Sequence, residues 1–244
     1  MIGLILAAGR GSRINNYSKD YPKSLLTLNE HNYTLLDYNL DILEKLNLNK
    51  IIIVTGYKSY IIEDHLRSRK NIEIIYNPFW NHCNVLGSMY MALNSINDDF
   101  LFLHADTLAD IKIWDMLLSY EGDMILPYQR KICGNEEMKV KVINNKITQI
   151  NKEMDFEESD GEFLGIAKFK YSTLDFFKSK SKELFEKDQL NHYMESVITE
   201  AINENKFQIS AMDILDNKFI EVDFEDDYVK AKSLFGIYNN KNNK

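Results

Sequence analysis

The sequence predicts an α/β protein: a mostly parallel, twisted sheet flanked by helices, with a small antiparallel insert at about residues 128–170. Three observations carry this. Short runs rich in Ile, Val and Phe alternate with helical patterns, as in βα units. The early runs are apolar throughout, as strands covered on both faces are. Around residues 139–150 the pattern changes to strict polar–apolar alternation, which belongs to an antiparallel hairpin with one wet face.

Taken in order, Ile2–Leu6 reads as a strand opening into a glycine-rich loop. Leu36, Leu40, Leu43 and Leu46 recur at i, i+4, i+7 and i+10, an amphipathic helix starting near Thr34 or Asp37. Ile51–Val54 is a buried strand closed by Thr55-Gly56, and a helix over 60–69 follows. Glu73–Tyr76 is a strand stopped at Asn77-Pro78, because proline disfavours helix in the residue before it. Phe100–His104 is a further buried strand, then come a helix at Ile111–Leu118 and a strand at Met124–Leu126. Lys139–Ile143 and Lys146–Ile150 pair across Asn144-Asn145, two residues that tolerate positive φ. A strand over Phe163–Phe169 is expected beside them. Met194, Val197, Ile198, Ala201 and Ile202 mark a helix, Phe219–Val222 a strand and Tyr228–Phe235 a closing helix. One domain over 1–238 with a frayed tail at 239–244 is the expected organisation.

Composition narrows the function classes. The 244 residues are 45% hydrophobic and 27% charged, with a net charge of −8. No basic run could track a phosphate backbone, which argues against nucleic-acid binding. No apolar run approaches the ~20 residues of a membrane span. The first six residues lack the charged start of a signal peptide, and Cys83 and Cys133 form no C-x-x-C pair. A cytoplasmic protein is expected.

Chemistry concentrates at the amino terminus. Leu6-Ala7-Ala8-Gly9-Arg10-Gly11-Ser12-Arg13 follows the first strand, and Pro22-Lys23-Ser24-Leu25 lies shortly after. Small residues there let backbone N–H groups approach a polyphosphate, while Arg13 and Lys23 add two formal charges. The alternative is a solvated turn. Gly9-x-Gly11 also suggests a dinucleotide loop and hence an oxidoreductase, but Ile14 stands where the third glycine belongs. No phosphate-binding P-loop pattern occurs.

L-A-A-G-x-G-S-R with P-K-S-L resembles the nucleotidyltransferases that condense a nucleoside triphosphate with a phosphorylated metabolite. The resemblance implies a Rossmann-like sheet of the nucleotidyltransferase type, Mg²⁺ as cofactor and pyrophosphate as leaving group. It assigns Lys23 and Arg13 to catalysis and Leu6 to Ser12 to nucleotide binding. Asp106, just past the strand Phe100–His104, resembles the family's metal ligand, with Asp110 as local rival and helix capping as the competing role. Glu221-Val222-Asp223 resembles its E-x-D segment, so Asp223 is the second metal candidate, with Glu225, Asp226 and Asp227 open as alternatives.

Residues 77–90 resemble the N-x-x-[YFW]-x-x-x-N-x-x-x-S-x-[YW] stretch of bacterial choline-phosphate and phosphonate cytidylyltransferases, which places Asn84 and Ser88 at the base. Gly56 borders the base in the same family. Gly161-Glu162-Phe163-Leu164-Gly165 resembles the acceptor-side strand, bringing in Glu162, and Lys152 matches a second basic residue near the acceptor phosphate. The implied reaction joins CTP to choline phosphate, an aminoethylphosphonate or phosphoglutamine, for bacterial surface-polysaccharide decoration. A sugar-1-phosphate enzyme using UTP or dTTP, a dinucleotide oxidoreductase and a non-catalytic paralogue remain open. Trp80, Tyr90, Trp114 and Tyr128 could stack on a cationic head group, although packing is the commoner role. An isologous homodimer is the general expectation for an oligomer.

Overall fold

Strand β1 (Ile2–Ala7) alternates its side chains between two hydrophobic cores, with Ile2, Leu4 and Leu6 on one side and Ile5 and Ala7 on the other. That double burial explains its unbroken apolar run. The computed structural model describes residues 1–18 and 20–236; the expected tail at 239–244 lies outside them.

After β1 the glycine-rich loop runs into a short helix, α1 (Asn15–Ser18), and reaches α2 (Leu35–Lys45). The Thr34 hydroxyl accepts from the Asp37 N–H at 3.0 Å, and the Asp37 carboxylate accepts from the Thr34 N–H at 3.1 Å, a capping box that starts α2. Next come β2 (Lys50–Thr55), α3 (Ser59–His65), β3 (Ile72–Tyr76), α4 (Val85–Ala92) and β4 (Phe100–His104). β5 (Thr107–Ala109), α5 (Ile111–Ser119), β6 (Met124–Gln129), β7 (Lys139–Ile143) and β8 (Lys146–Asn151) follow. The chain closes with β9 (Gly161–Phe163), β10 (Ile166–Phe169), α6 (Leu174–Phe185), α7 (Met194–Asn203), β11 (Ile209–Asp213), β12 (Phe219–Glu221) and α8 (Glu225–Phe235).

Ten strands form one sheet in the order β11-β8-β7-β9-β6-β10-β4-β1-β2-β3. The run β4-β1-β2-β3 is parallel, as expected. The other half is mixed, because β10 lies antiparallel between β4 and β6. The expected strand over 163–169 is therefore two strands. Gly165, at φ +72°, breaks the path, so β9 pairs with β6 and β7 whereas β10 pairs with β4 and β6. The hairpin β7–β8 forms across Asn144 and Asn145, both at positive φ. It is continuous with the main sheet, since β11 pairs with both β8 and β6.

A separate two-stranded sheet pairs β12 with β5, Glu221 opposite Thr107 and Phe219 opposite Ala109. The Val222 N–H also donates to the Asp106 carbonyl at 3.0 Å. This pairing draws the carboxyl-terminal segment onto the end of β4. A third core of Ile14, Leu28, Leu35, Leu108, Val222, Tyr228 and Phe235 holds it there.

Candidate active site

Open α/β sheets place ligands beyond the carboxyl ends of their parallel strands. Here the ends of β1 and β4, the start of α4, and Glu221 and Asp223 at the end of β12 surround a cleft of about 340 Å³. Leu6, Ala7, Ala8, Gly9, Gly11 and Ser12 line it, together with Arg13, Lys23, Asn84, Ser88, Asp106, Lys152 and Asp223. Of the sixteen positions the sequence offers for nucleotide, metal or acceptor chemistry, three lie outside the cleft. Arg10 is exposed, with its guanidinium over the Tyr57 ring at 5.5 Å. Gly56 lies behind the cleft wall, where a Cβ would come within 2.5 Å of Trp80 Cβ and 2.7 Å of the Ala8 carbonyl oxygen. Glu162 lines an adjoining cavity.

Lys23 is the centre of the site. Its side chain packs on Gly11, which has φ +70° and whose missing Cβ would sit 2.6 Å from Lys23 Cβ. The ammonium is buried and contacts Asp106 Oδ2 at 2.7 Å and Asp223 Oδ1 at 2.8 Å. Burial alone would lower its pKa, but the two carboxylates outweigh burial and hold it well above the ordinary lysine value. For Asp106, burial works against ionisation, yet Lys23 and His104 keep its pKa below the ordinary carboxylate value. Arg13 is exposed and reaches Asp223 Oδ2 and Glu136 Oε2, each at 3.4 Å.

The rival carboxylates have other work. Asp110 caps α5, accepting from the Lys112 N–H at 3.1 Å. Asp227 accepts from the Phe224 N–H at 2.9 Å at the start of α8. Glu225 and Asp226 occupy the first turn of α8 and do not line the cleft. Ile14, in the place of a third dinucleotide-loop glycine, is fully buried core. Trp114 is likewise core, whereas Trp80 lines the cleft and packs edge-on to Tyr57 at 5.4 Å.

Asp106 and Asp223 offer hard oxygen donors around one point of positive charge, a donor set that suits Mg²⁺. Among the described residues, His104, Asp106 and Glu221 also form a cluster whose donor atoms lie within 4.8 Å of one another. His104 Nδ1 is 3.5 Å from Glu221 Oε1. Burial depresses its pKa, but Glu221, Asp106 and Glu195 overcome that and push it up to about 9.

The second cavity, also about 340 Å³, shares His104, Lys152, Tyr193, Glu221 and Asp223 with the cleft. Lys152 Nζ stands over the Tyr193 ring at 5.2 Å. Seven carboxylates and three lysines line this cavity. Two of the carboxylates, Glu162 and Glu195, are buried, and burial raises both their pKa values. Glu162 accepts from Lys131 Nζ at 3.0 Å. Among the described residues, Glu195 Oε2 has no hydrogen-bond partner. Sequence reasoning missed Glu195, because it sits one residue into an amphipathic helix and reads there as an ordinary first-turn acid.

Comparison with known proteins agrees with this architecture. Over 250 aligned residues the chain is 23% identical to the CTP:phosphoglutamine cytidylyltransferase of Campylobacter jejuni, covering 93% of this chain and 97% of that protein. It is 32% identical over 114 residues to the choline-phosphate cytidylyltransferase of Haemophilus influenzae, covering 47% of each. Among solved structures, the inositol-1-phosphate CTP transferase of T. maritima superimposes with a TM-score of 0.78 at 18% identity, covering 95% of this chain and 94% of the other. The CTP:phosphocholine cytidylyltransferase of Streptococcus pneumoniae gives 0.77 at 21% identity, with 95% and 98% covered. No helix among the described residues is long and apolar enough to cross a membrane. The model of the MobA-like NTP transferase domain matches residues 3–133, more than half of the chain and the part that carries the glycine-rich loop, Lys23, Ser88 and Asp106, so the protein belongs to that nucleotidyltransferase family.

Proposed function

We propose that this nucleotidyltransferase is a cytidylyltransferase that joins CTP to a small phosphorylated or phosphonylated amine. The observation that carries the reading is the buried Lys23 ammonium held between Asp106 and Asp223 beneath the glycine-rich loop. An anionic acceptor oxygen attacks the α-phosphorus, the bond from that phosphorus to the bridging oxygen of the β-phosphate breaks, and pyrophosphate leaves. Such an oxygen is ionised near neutral pH and needs no general base, so the protein's task is positioning and charge stabilisation. Lys23 neutralises charge at the α-phosphoryl oxygens, while Arg13 and the loop N–H groups hold the leaving end. Mg²⁺, when bound, would be held by Asp106 and Asp223 and would supply further charge neutralisation. Lys152, which lines both cavities, is assigned to the acceptor phosphate in this reading.

The excess of carboxylates in the second cavity, with one oxygen of buried Glu195 unpartnered among the described residues, supports a cationic nitrogen on the acceptor. An amino-acid phosphate fits this best, since Lys131 also supplies a cation beside Glu162. The relatives named above support CTP as donor. A role in surface-polysaccharide decoration rests on the family resemblance alone.

The test is a pyrophosphate-release assay of four nucleoside triphosphates with Mg²⁺ against choline phosphate, 2-aminoethylphosphonate, phosphoglutamine and glucose-1-phosphate. Release with CTP and an amine-bearing acceptor is expected. Release only with UTP or dTTP and the sugar phosphate would replace the reading, and release with no pair would leave a nucleotide-binding paralogue.

A further inference from the structure

The buried face of α2 is made of Leu35, Leu36, Leu40, Ile42 and Leu43, with one polar side chain among them, Asn39. The helical period calls for an apolar residue at that position. Asn39 Nδ2 donates to the Ala105 carbonyl at 3.2 Å. A carbonyl only accepts, so the end of the amide that faces it is the nitrogen. The other end, Oδ1, is buried and has no hydrogen-bond partner among the described residues. Ala105 stands between the end of β4 and Asp106. Its own N–H donates to the Leu6 carbonyl of β1 at 3.0 Å, and the Asp106 carbonyl accepts from the Val222 N–H at 3.0 Å. Three consecutive peptide planes leading through Asp106 are thus each held by a different element. The outer two bonds join backbone to backbone, and many residue types could make them. The middle one, on the plane that carries the Asp106 N–H, is made by the Asn39 side chain.

We infer that Asn39 is a positioning residue for Asp106: it fixes the peptide plane that enters Asp106 and so aims the carboxylate that meets Lys23 at 2.7 Å. The inference rests on the reading above, in which Asp106 takes part in the chemistry, and deepens it. Packing gives no reason for an amide here. Leucine has a similar branched outline and would add apolar burial. It would leave the Ala105 carbonyl without a donor, but it would also remove the unpartnered Oδ1, so the number of unpaired buried acceptors stays the same. What leucine could not do is hold the plane. A misplacement of about 1 Å at a reacting group costs about 10²-fold in rate, which makes that hold matter to turnover. α2 also bonds the far end of the same turn, where the Tyr38 hydroxyl donates to the Ala109 carbonyl at 3.0 Å. That second bond ties α2 to β5 without touching the plane before Asp106, so it separates tethering of the helix from aiming of the carboxylate.

The test compares Asn39→Leu, Asn39→Ala and Tyr38→Phe with the wild type by three measurements on the whole protein: urea denaturation in chelator, calorimetric titration with Mg²⁺, and steady-state pyrophosphate release. Asn39→Leu is expected to unfold at the wild-type urea concentration or above it, and Asn39→Ala below it, because alanine leaves a cavity. Despite that difference, both should lose about ten- to a hundredfold in kcat where they are folded, and both should bind Mg²⁺ more weakly than the wild type. Tyr38→Phe is expected to lose stability and to keep the wild-type kcat and Mg²⁺ affinity. A merely structural role predicts the opposite pattern, with turnover following stability: a fully active Asn39→Leu, or a Tyr38→Phe as slow as the Asn39 variants, overturns the inference. If Asn39→Leu does not fold, Asn39→Ala against Tyr38→Phe decides. A wild type that releases no pyrophosphate with any substrate pair overturns the enzymatic reading above, and the Mg²⁺ titration then decides the positioning role by itself. Equal affinity in the wild type and the Asn39 variants, or no Mg²⁺ binding by the wild type, overturns it.

Discussion

Lys23 shows how much one side chain can do when burial and charge are set against each other. Its ammonium fills the space between Asp106 and Asp223, which would otherwise repel one another. A divalent ion, if it binds as proposed, would meet a pair of carboxylates already occupied by a cation. Lys23→Met should leave the carboxylates uncompensated, lowering the melting temperature in chelator and enlarging the rise when Mg²⁺ is added, relative to wild type. Calorimetry with and without Mg²⁺ checks this, and an identical rise in both proteins would contradict competition between ammonium and ion. Asp106→Asn keeps the shape and removes the charge. It should lower turnover at least 10²-fold, the scale of about 3–4 kcal/mol that a preorganised electrostatic contact supplies, as measured by pyrophosphate release. The motif Pro22-Lys23-Ser24-Leu25 was legible without a structure. The pairing of Lys23 with a residue 200 positions away was not.

At the scale of elements, α2 depends on the Asp37 carboxylate. It completes the capping box and also contacts His65 Nε2 at 3.0 Å and Arg69 at 3.2 Å. Burial pushes its pKa up, but the hydrogen bonds from His65 and Thr34 prevail and bring it down to about 2, against an ordinary 3.8. A depressed carboxyl contributes stability that is present above the ordinary value and is lost as pH falls through the folded one. Asp37→Asn should therefore cost about 2 kcal/mol at neutral pH and flatten the loss of stability between about pH 4 and 2, read from urea melts across that range. The helix start near Thr34 or Asp37 was visible because capping is local, while the structure shows that the two residues cap α2 together. β5 and β12 were harder to foresee as partners. Each has three residues, too few for a periodic signal, and they pair across more than a hundred positions. β10 was hidden for a related reason: Gly165 permits a break, but only the neighbours β4 and β6 decide that the chain crosses between them.

For the molecule as a whole, the carboxyl-terminal segment acts as a clamp that carries Asp223 to the end of β4. Tyr228 anchors it, buried in the third core with its hydroxyl donating to the Thr27 carbonyl at 2.6 Å. Tyr228→Ala should destabilise the protein by about 3–5 kcal/mol through the cavity it leaves. It should also lower turnover under conditions where the protein is still folded, because Asp223 lies five residues before it. Tyr228→Phe keeps the packing and should cost about 1 kcal/mol, with turnover near wild type. Chemical denaturation and pyrophosphate release on both variants separate the two effects. An alanine variant fully active when folded would show that Asp223 needs no clamp.

By itself the sequence determined the parts governed by near neighbours: the buried strand β1, the glycine-rich turn after it, the start of α2 and the Asn-Asn hairpin. These depend on backbone preferences and on hydrophobic period, which a few consecutive residues express. Only the tertiary structure decided which carboxylates face Lys23, and that Glu195 ends in a cavity with one oxygen unpartnered among the described residues. Burial and hydrogen-bond polarity belong to atoms brought together by distant elements, and no stretch of chain carries that information before it folds.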